Sequence, residues 1–256
     1  MKIFYFTATG NSLYVAKRIG GKLYSIPQLL NKEESEFADE AIGFVFPCYG
    51  FGIPRIVIDF IQRSKFTANY FFAIMTYGNM AASGLKHIEE VGAKVNIGFD
   101  YTNEILMIDN YLPLFKMENQ LAKEDSKRIE EKLDQIVDDI ISRKKKKITK
   151  GIASDLISKL VYRFHTKNQV DAGDKKFIVQ DNCNRCKVCE KVCPKNNIRV
   201  GITPEFLHKC DGCYACIHHC PQNAIHLTSE RSNIRFINRN IKLNEIIDAN
   251  NRSNAN

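Results

Sequence analysis

The stretch KIFYFTATGNS, residues 2–12, determines the fold of the N-terminal half. KIFYF is short, apolar and aromatic, which is typical of a buried strand. The polar loop TATGNS follows at once and opens a helical pattern over residues 12–20. Strand, polar loop and helix in that order are the repeating unit of a sheet whose parallel strands are joined by helices.

The same unit recurs along residues 1–112. Apolar runs at 41–46 and 70–77 predict further buried strands, and weaker strand candidates lie at 22–26 and within 95–109. Helical patterns at 12–20, 54–63 and 81–91 separate them. Strands that alternate with helices predict an α/β fold with a doubly wound parallel sheet.

The loop TATGNS, residues 7–12, is suited to binding a phosphate group. Backbone N–H groups and the hydroxyls of Thr7, Thr9 and Ser12 can donate to phosphate oxygens, and Gly10 lets the backbone come close. Asn11 stands at the helix N-terminus, whose partial positive charge favours an anion. The loop is neither the dinucleotide fingerprint nor the P-loop motif. The structural alternative is a polar helix cap.

The pattern Thr-x-Thr-Gly-x-Ser at this position resembles the FMN phosphate loop of flavodoxins. That resemblance implies that FMN binds at the carboxyl ends of the strands, where two more glycine-containing loops lie: PCYGFGIP (47–54) and TYGNMAASG (76–84). It implies ring contacts from Tyr49 and Tyr77, with Phe51 as a rival. The backbone amides expected to reach the polar edge of the flavin are those of Gly50, Gly78 and Asn79.

Eight of the nine cysteines lie in two runs, CNRCKVCEKVCP (183–194) and CDGCYACIHHCP (210–221). Each is C-x2-C-x2-C-x3-C-P. The first three cysteines of such a run hold one [4Fe–4S] cluster, and the fourth serves the other cluster. The two predicted ligand sets are Cys183, Cys186, Cys189 and Cys220, and Cys210, Cys213, Cys216 and Cys193. Two structural zinc sites are the alternative, but zinc usually takes two separated C-x2-C pairs.

Residues 177–228 resemble bacterial two-cluster ferredoxins, including short flanking strands in KKFIVQDN and AIHLTS. With MIDNYLP (107–113), residues 1–112 and about 177–247 together resemble the fused flavodoxin–ferredoxin proteins of anaerobic bacteria and archaea, the EFR-type ferredoxin family. The implied domains are an FMN-binding domain at 1–150, a helical linker at 151–176, a ferredoxin-like domain at 177–247 and a disordered tail at 248–256.

The remaining motifs have structural interpretations. Residues 118–142 predict one long helix that covers the sheet, and RKKKK (143–147) predicts its solvated end, with a docking patch as the alternative. An amphipathic helix at 152–165 is expected to pack its apolar side between the domains, with membrane binding as the alternative. His208, His218 and His219 are expected at the surface or behind the cluster ligands. Cys48 is expected to be a plain buried thiol, with a redox or covalent role as the alternative.

The composition narrows the function. The chain carries a net charge of +8, and residues 182–256 contain 11 Lys and Arg against 6 Asp and Glu. No apolar run suits a signal peptide or a membrane span, so we expect a cytoplasmic protein with reduced thiols. No zinc-finger or RNA-binding signature accompanies the charge, so we expect no nucleic acid partner, and acidic redox proteins are the expected partners. The oligomeric state is left open.

Three functions are consistent with these features of the sequence. The first is electron transfer between iron–sulfur clusters and FMN, which couples one-electron and two-electron partners. The second is an FMN-dependent reductase of a small oxidised substrate such as a quinone. The third is a redox sensor.

Overall fold

The computed structural model describes residues 1–30, 35–148, 152–170 and 173–251. Its N-terminal half contains a sheet of five parallel strands. The strands of the N-terminal half are β1 (Lys2–Tyr5), β2 (Lys22–Ser25), β3 (Ser35–Ala38), β4 (Ala41–Pro47), β5 (Ser64–Thr67), β6 (Tyr70–Tyr77) and β7 (Tyr101–Leu106). The sheet order is β2-β1-β4-β6-β7, while β3 and β5 pair separately as a short parallel ribbon. This is the doubly wound, flavodoxin-like strand order, and it confirms the predicted fold class.

Ten α-helices lie in the described ranges. They are α1 (Asn11–Ile19), α2 (Ile26–Leu29), α3 (Arg55–Arg63), α4 (Gly84–Ala93), α5 (Met117–Leu121), α6 (Ile129–Ile141), α7 (Ile152–Val170), α8 (Val188–Lys191), α9 (Ala215–His218) and α10 (Leu243–Asn250). Helices α1 and α6 cover one face of the sheet and share its core with Ile241 and Ile246 of the C-terminal segment. Helices α3 and α4 cover the other face, which is rich in phenylalanine.

The predicted helix over residues 118–142 is interrupted. Helix α5 ends at Leu121, a 3-10 turn follows at Asp125–Lys127, and Arg128 adopts a left-handed conformation with φ of 49° before α6 begins. The interruption brings Lys127 to the sheet, where its Nζ donates to the carbonyl of Gly78 at 3.1 Å. Charge periodicity alone could not reveal this tertiary contact.

Helix α7 is oriented opposite to the prediction. The apolar side chains of Leu156, Ile157, Leu160 and Phe164 are 60–73% exposed. The polar face packs instead on the N-terminal half: Lys86 pairs with Asp155 at 2.6 Å, and Tyr162 donates to the carbonyl of Ile53 at 2.8 Å. These directional bonds outweigh the amphipathic pattern. Of the predicted apolar face, Val161 and Phe164 border a cavity, and the Ile152 side chain lies outside the described residues.

The basic run 143–147 follows the end of α6 and forms local ion pairs. Lys144 Nζ lies 2.7 Å from Asp139, and Lys145 Nζ lies 3.1 Å from Asp100. The backbone of Lys146 bonds to the start of β7, since Thr102 N donates to its carbonyl at 2.8 Å. This run therefore lies at the amino end of the sheet strands, opposite the predicted binding loops.

The cysteine-rich half is a tandem repeat that exchanges strands. Its strands are β8 (Phe177–Val179), β9 (Ile198–Val200), β10 (Pro204–Phe206) and β11 (Ile225–Leu227). Strand β8 and helix α8 recur as β10 and α9 at an offset of 27 residues, the distance from Cys183 to Cys210. Each antiparallel pair, β8 with β11 and β9 with β10, therefore joins one repeat to the other.

The ordered chain extends past the predicted start of the tail at 248. Helix α10 continues to Asn250, because Ala249 and Asn250 are buried against the N-terminal half. Residues 252–256 of the predicted tail lie outside the described residues. Among the helices of the described ranges, none is both long enough and apolar enough to cross a membrane.

Candidate functional site

The eight cysteines of the two runs separate into two cavities. One is lined by Cys183, Cys186, Cys189 and Cys220. The other is lined by Cys193, Cys210, Cys213 and Cys216. The structure thus brings together the same two sets of four that the spacing predicts, with the last cysteine of each run in the cavity of the other. Nowhere in the described ranges do three His, Cys, Asp or Glu side chains converge on the space of a single metal ion.

The local backbone explains how each run wraps around its cavity. Three positions per repeat take left-handed conformations: Arg185, Lys187 and Asn196 in the first, and Gly212, Tyr214 and Asn223 in the second. These turns let cysteines three residues apart face the same space. Backbone N–H groups also point at sulfur: Asn197 N lies 3.3 Å from Cys193 Sγ, and Ala224 N lies 3.2 Å from Cys220 Sγ. Such N–H···S bonds stabilise negative charge on the sulfur.

Several of the thiols in these cavities are hard to ionise by themselves. Burial raises the pKa of Cys189 and Cys210 to about 12, and the neighbouring cysteines of the same set add to each shift. Burial likewise holds the pKa of Cys213 and Cys216 well above the ordinary value. Burial raises the pKa of Cys193 as well, so four thiolates in the second cavity would require a cation among them, and iron is such a cation. The donor set fits a thiolate-ligated cluster.

A third cavity, of about 460 Å³, lies at the carboxyl ends of the sheet strands. Its size falls within the range of ~300–1,000 Å³ that is usual for small-molecule sites. Nine of the ten predicted FMN-binding residues line it: Thr7, Thr9, Asn11, Ser12, Tyr49, Gly50, Tyr77, Gly78 and Asn79. We call this space the flavin cavity, after the prediction that FMN binds there.

Gly10 is the tenth predicted residue, and it lies behind the loop rather than on the cavity wall. It has a φ of 100°, which favours glycine. An added Cβ would lie 3.0 Å from Asn238 Cβ and 3.1 Å from Ile241 Cβ. The role of Gly10 is therefore to admit the C-terminal segment against the outer side of the loop.

The loop of residues 7–12 offers free donors to the flavin cavity. In the described part of the chain, no protein acceptor bonds the backbone N–H groups of Thr9, Asn11 or Ser12. The Thr7 hydroxyl accepts from Gly10 N at 3.0 Å and so closes the turn. The Ser12 and Thr76 hydroxyls are 2.9 Å apart. Unpaired N–H groups at the start of a nine-residue helix fit a phosphate group.

The two predicted ring contacts occupy different settings. Tyr49 opens a tight turn, since Tyr49 N and Gly52 N each donate to the other residue's carbonyl. Burial raises the pKa of Tyr49 well above its ordinary value, and the neighbouring Cys213 adds to the shift. Tyr77 is half-buried at the end of β6. Tyr49 therefore lies on the side of the flavin cavity that faces the cysteine-rich half.

Cys213 connects the two kinds of site. It lines the flavin cavity together with Gly212 and Tyr214, and it also lines the second cysteine cavity. The set that contains Cys213 is thus next to the flavin cavity. Among the described residues, none of the first set, Cys183, Cys186, Cys189 and Cys220, lines that cavity.

Several cavity residues lie outside the predicted set. Asn110 Nδ2 donates to Thr9 Oγ1 at 2.7 Å. Asp109 lies against Gly78, and burial raises the pKa of its carboxyl group. His165 of α7 packs on Gly50, and burial lowers its pKa to about 4. Asp109 and Asn110 belong to the segment MIDNYLP, whose resemblance to the EFR-type family could have indicated them. No pattern in the sequence indicates that His165 lies at the cavity.

Cys48 also lines the flavin cavity. Burial raises its pKa to about 12, and its Sγ lies 3.8 Å from the carbonyl of Ala81. Cys48 is half-buried, and a raised pKa favours its protonated form; its role as a plain thiol stays a prediction.

His218 and His219 lie at the junction of the two halves, and neither is a surface residue. They are 5% and 6% exposed. His218 Nε2 donates to the Asn110 carbonyl, and His219 Nε2 donates to the Ala8 carbonyl, both at 2.9 Å. His208 is exposed instead and bonds Asp174 at 2.9 Å. The two buried histidines therefore hold loops on either side of the flavin cavity.

Comparisons with known proteins bear mainly on the cysteine-rich half. A family model described as "4Fe-4S binding domain" matches residues 176–199 and 207–226. The Trp repressor binding protein of Bacillus subtilis is 15% identical over 41% of this chain and 83% of that chain, with a TM-score of 0.29. A protein assigned as a flavoprotein, from Bacteroides uniformis, is 18% identical over 41% of this chain and 89% of that chain, also with a TM-score of 0.29. Curated proteins give no match.

Proposed function

We propose that the chain is an electron-transfer iron–sulfur flavoprotein with two [4Fe–4S] clusters and FMN. The match of residues 176–199 and 207–226 to a 4Fe–4S binding domain supports the electron-transfer role. A cluster exchanges one electron at a time and a flavin one or two, so the cofactors together suit a relay between one-electron and two-electron partners. The EFR-type ferredoxin family, an intracellular setting and acidic redox partners belong to the same proposal.

The position of Cys213 carries this proposal. Cys213 and Tyr214 line both a four-cysteine cavity and the flavin cavity, which supports two adjacent cofactor sites. In the proposal Cys193, Cys210, Cys213 and Cys216 hold the cluster nearer the flavin. Cys183, Cys186, Cys189 and Cys220 hold the farther one. Residues 1–150 form the flavin domain and 177–247 the ferredoxin-like domain, with α7 between them.

The chain's own residues define the proposed flavin site. The unpaired N–H groups of Thr9, Asn11 and Ser12 bind the phosphate, and the aromatic side chains of Tyr49 and Tyr77 contact the ring system. Helix α7 limits water access on the side of Gly50, where a Cβ would lie 2.5 Å from His165. Asp109 and His165 are the titratable side chains that border this space along with the tyrosines and cysteines.

Anaerobic purification with cofactor analysis tests the assignment. We expect about eight iron and eight labile sulfide per chain, as two four-iron clusters require, together with one equivalent of FMN. Zinc in place of iron, or a chain that binds no flavin after reconstitution with FMN, would contradict the proposal. Iron near four per chain would contradict the assignment of two clusters.

A reductase of a small oxidised molecule is the second candidate. One observation favours it: the mouth of the flavin cavity is bordered by the exposed apolar side chains of Met80, Leu114 and Phe164. An apolar mouth suits a small apolar oxidant such as a quinone. Stopped-flow mixing of the reduced protein with a water-soluble quinone tests this. Saturable, fast reoxidation would support the reductase, and slow reoxidation without saturation would support the relay.

A further inference from the structure

We propose that His219, Asn238 and Asn250 are positioning residues that hold the phosphate loop in its binding conformation. The affinity of the chain for FMN then depends on its C-terminal half. This inference rests on the FMN site proposed above and adds a dependence that the sequence does not suggest.

The evidence begins with three successive carbonyl groups of the loop. The Thr7 carbonyl accepts from Asn250 Nδ2 at 3.0 Å, and the Ala8 carbonyl accepts from His219 Nε2 at 2.9 Å. The Thr9 carbonyl accepts from Asn238 N at 2.8 Å. All three donors belong to the C-terminal half. They hold the loop carbonyls away from the flavin cavity, where carbonyl oxygens would repel a phosphate.

The packing behind the loop is equally close. The segment that contains Asn238 and Ile241 lies against Gly10, where an added Cβ would lie 3.0–3.1 Å from the Cβ atoms of these two residues. Asn238 Nδ2 also donates to Asn11 Oδ1 at 3.0 Å, and Asn11 Nδ2 donates to the carbonyl of Ile108 at 3.1 Å. Asn11 is therefore fixed at both ends of its side-chain amide.

The burial of these groups indicates that the bonds persist. Asn250 is fully buried and His219 is 6% exposed. Because water cannot readily replace them, removing one donor leaves a buried carbonyl without its partner. The loop can satisfy that carbonyl only by turning it toward solvent in the flavin cavity, which changes the direction of the adjacent N–H groups.

A purely structural role would have a different signature. If the three residues only joined the two halves, their removal would weaken binding of any flavin in the cavity. If they position the phosphate loop, removal must weaken FMN and spare riboflavin, which lacks the phosphate. The ratio of the two dissociation constants therefore separates the alternatives.

The experiment uses the full chain with its clusters loaded and its flavin removed. His219→Ala and Asn250→Ala are each titrated with FMN and with riboflavin, and binding is followed by flavin fluorescence. We expect the Kd for FMN to rise about 3- to 10-fold in each variant, as a lost hydrogen bond implies. The Kd for riboflavin should change by less than about twofold, within the scatter usual for a distant site.

Two further variants serve as controls. His219→Gln retains an N–H donor and should restore most of the FMN affinity. His208→Ala removes an exposed histidine of the same half that bonds Asp174, and should leave both dissociation constants unchanged. Iron content is measured in every variant. If His219→Ala loses iron, its FMN affinity no longer tests the loop alone. The result for Asn250→Ala then tests the inference, since Asn250 is remote in sequence from the cysteines.

An unchanged Kd for FMN in Asn250→Ala, or an equal loss of FMN and riboflavin, would overturn the inference. Failure of the proposed function is a separate result, because the unmodified chain would then bind neither flavin. If the unmodified chain binds FMN and the variants keep its ratio of the Kd for FMN to the Kd for riboflavin, only the positioning role is refuted.

Discussion

Substitution of Gly78 by alanine tests the flavin cavity most directly. A Cβ at this position would lie 2.3 Å from Asp109 Cβ and 2.4 Å from Asp109 Cα, whereas ordinary contacts begin at 3.4 Å. Because a backbone atom is involved, the loops after β6 and β7 must separate by roughly 1 Å, more than the ~0.5 Å that a preorganised site tolerates. Both loops line the flavin cavity.

The expected penalty follows from overpacking. Inserting a methyl group into a well-packed contact costs about 1–3 kcal/mol. If the loops absorb that strain by moving, the Kd for FMN should rise about 5- to 150-fold. Fluorescence titration of flavin-free protein measures the Kd, and urea unfolding of the same sample separates weaker binding from lost stability.

Gly98→Ala is the matched control, since a Cβ there meets nothing within 4 Å. It should leave the Kd for FMN unchanged. If Gly78→Ala also binds FMN with normal affinity while its stability is preserved, the contact of Gly78 with Asp109 does not shape the cavity, and the assignment of both loops to the flavin site would be refuted.

Two other predictions concern His165 and the cysteine sets. Burial lowers the pKa of His165 to about 4 from 6.5, so its contribution to the free energy of unfolding is complete above pH 6.5 and is lost as the pH falls toward 4. Between pH 6.5 and 4, the free energy of unfolding of His165→Asn, measured by urea titration, should therefore fall less than that of the unmodified chain. An equal fall in both proteins would contradict the lowered pKa of His165. Cys186→Ala and Cys213→Ala should each lose about half of the iron, but only Cys213→Ala should alter the visible absorption of bound FMN. Full iron retention in either variant would contradict its role as a ligand.

The features that the sequence predicted correctly depend on local pattern. The run of Ile3, Phe4 and Phe6 indicates a buried strand because all three side chains can be placed only in a core. The start of helix α1 follows from the polar loop before it. The grouping of the eight cysteines follows from their spacing together with the rule that the fourth cysteine crosses, and the structure places the side chains in those groups. Ligation itself remains a prediction.

The features that the sequence missed depend on contacts between distant segments. Helix α7 has an apolar side by periodicity, yet the pairing of Asp155 with Lys86 and of Tyr162 with Ile53 decides which face lies inward. The local sequence around His219 does not indicate its role, because the loop that it bonds lies 211 residues earlier in the chain. The break at Arg128 likewise depends on the reach of Lys127 to Gly78. The periodicity of a segment does not indicate which distant residues it contacts.

The contact between the phosphate loop and the C-terminal half has a consequence for biosynthesis. The Thr7 carbonyl accepts a hydrogen bond from Asn250, which is translated 243 residues later. The parallel sheet can form once β7 has been made, but the loop at its carboxyl end cannot reach the described conformation until α10 has been synthesised. Flavin insertion is therefore expected after translation of the cysteine-rich half, and a nascent chain arrested before α10 should carry the sheet without a tight FMN site.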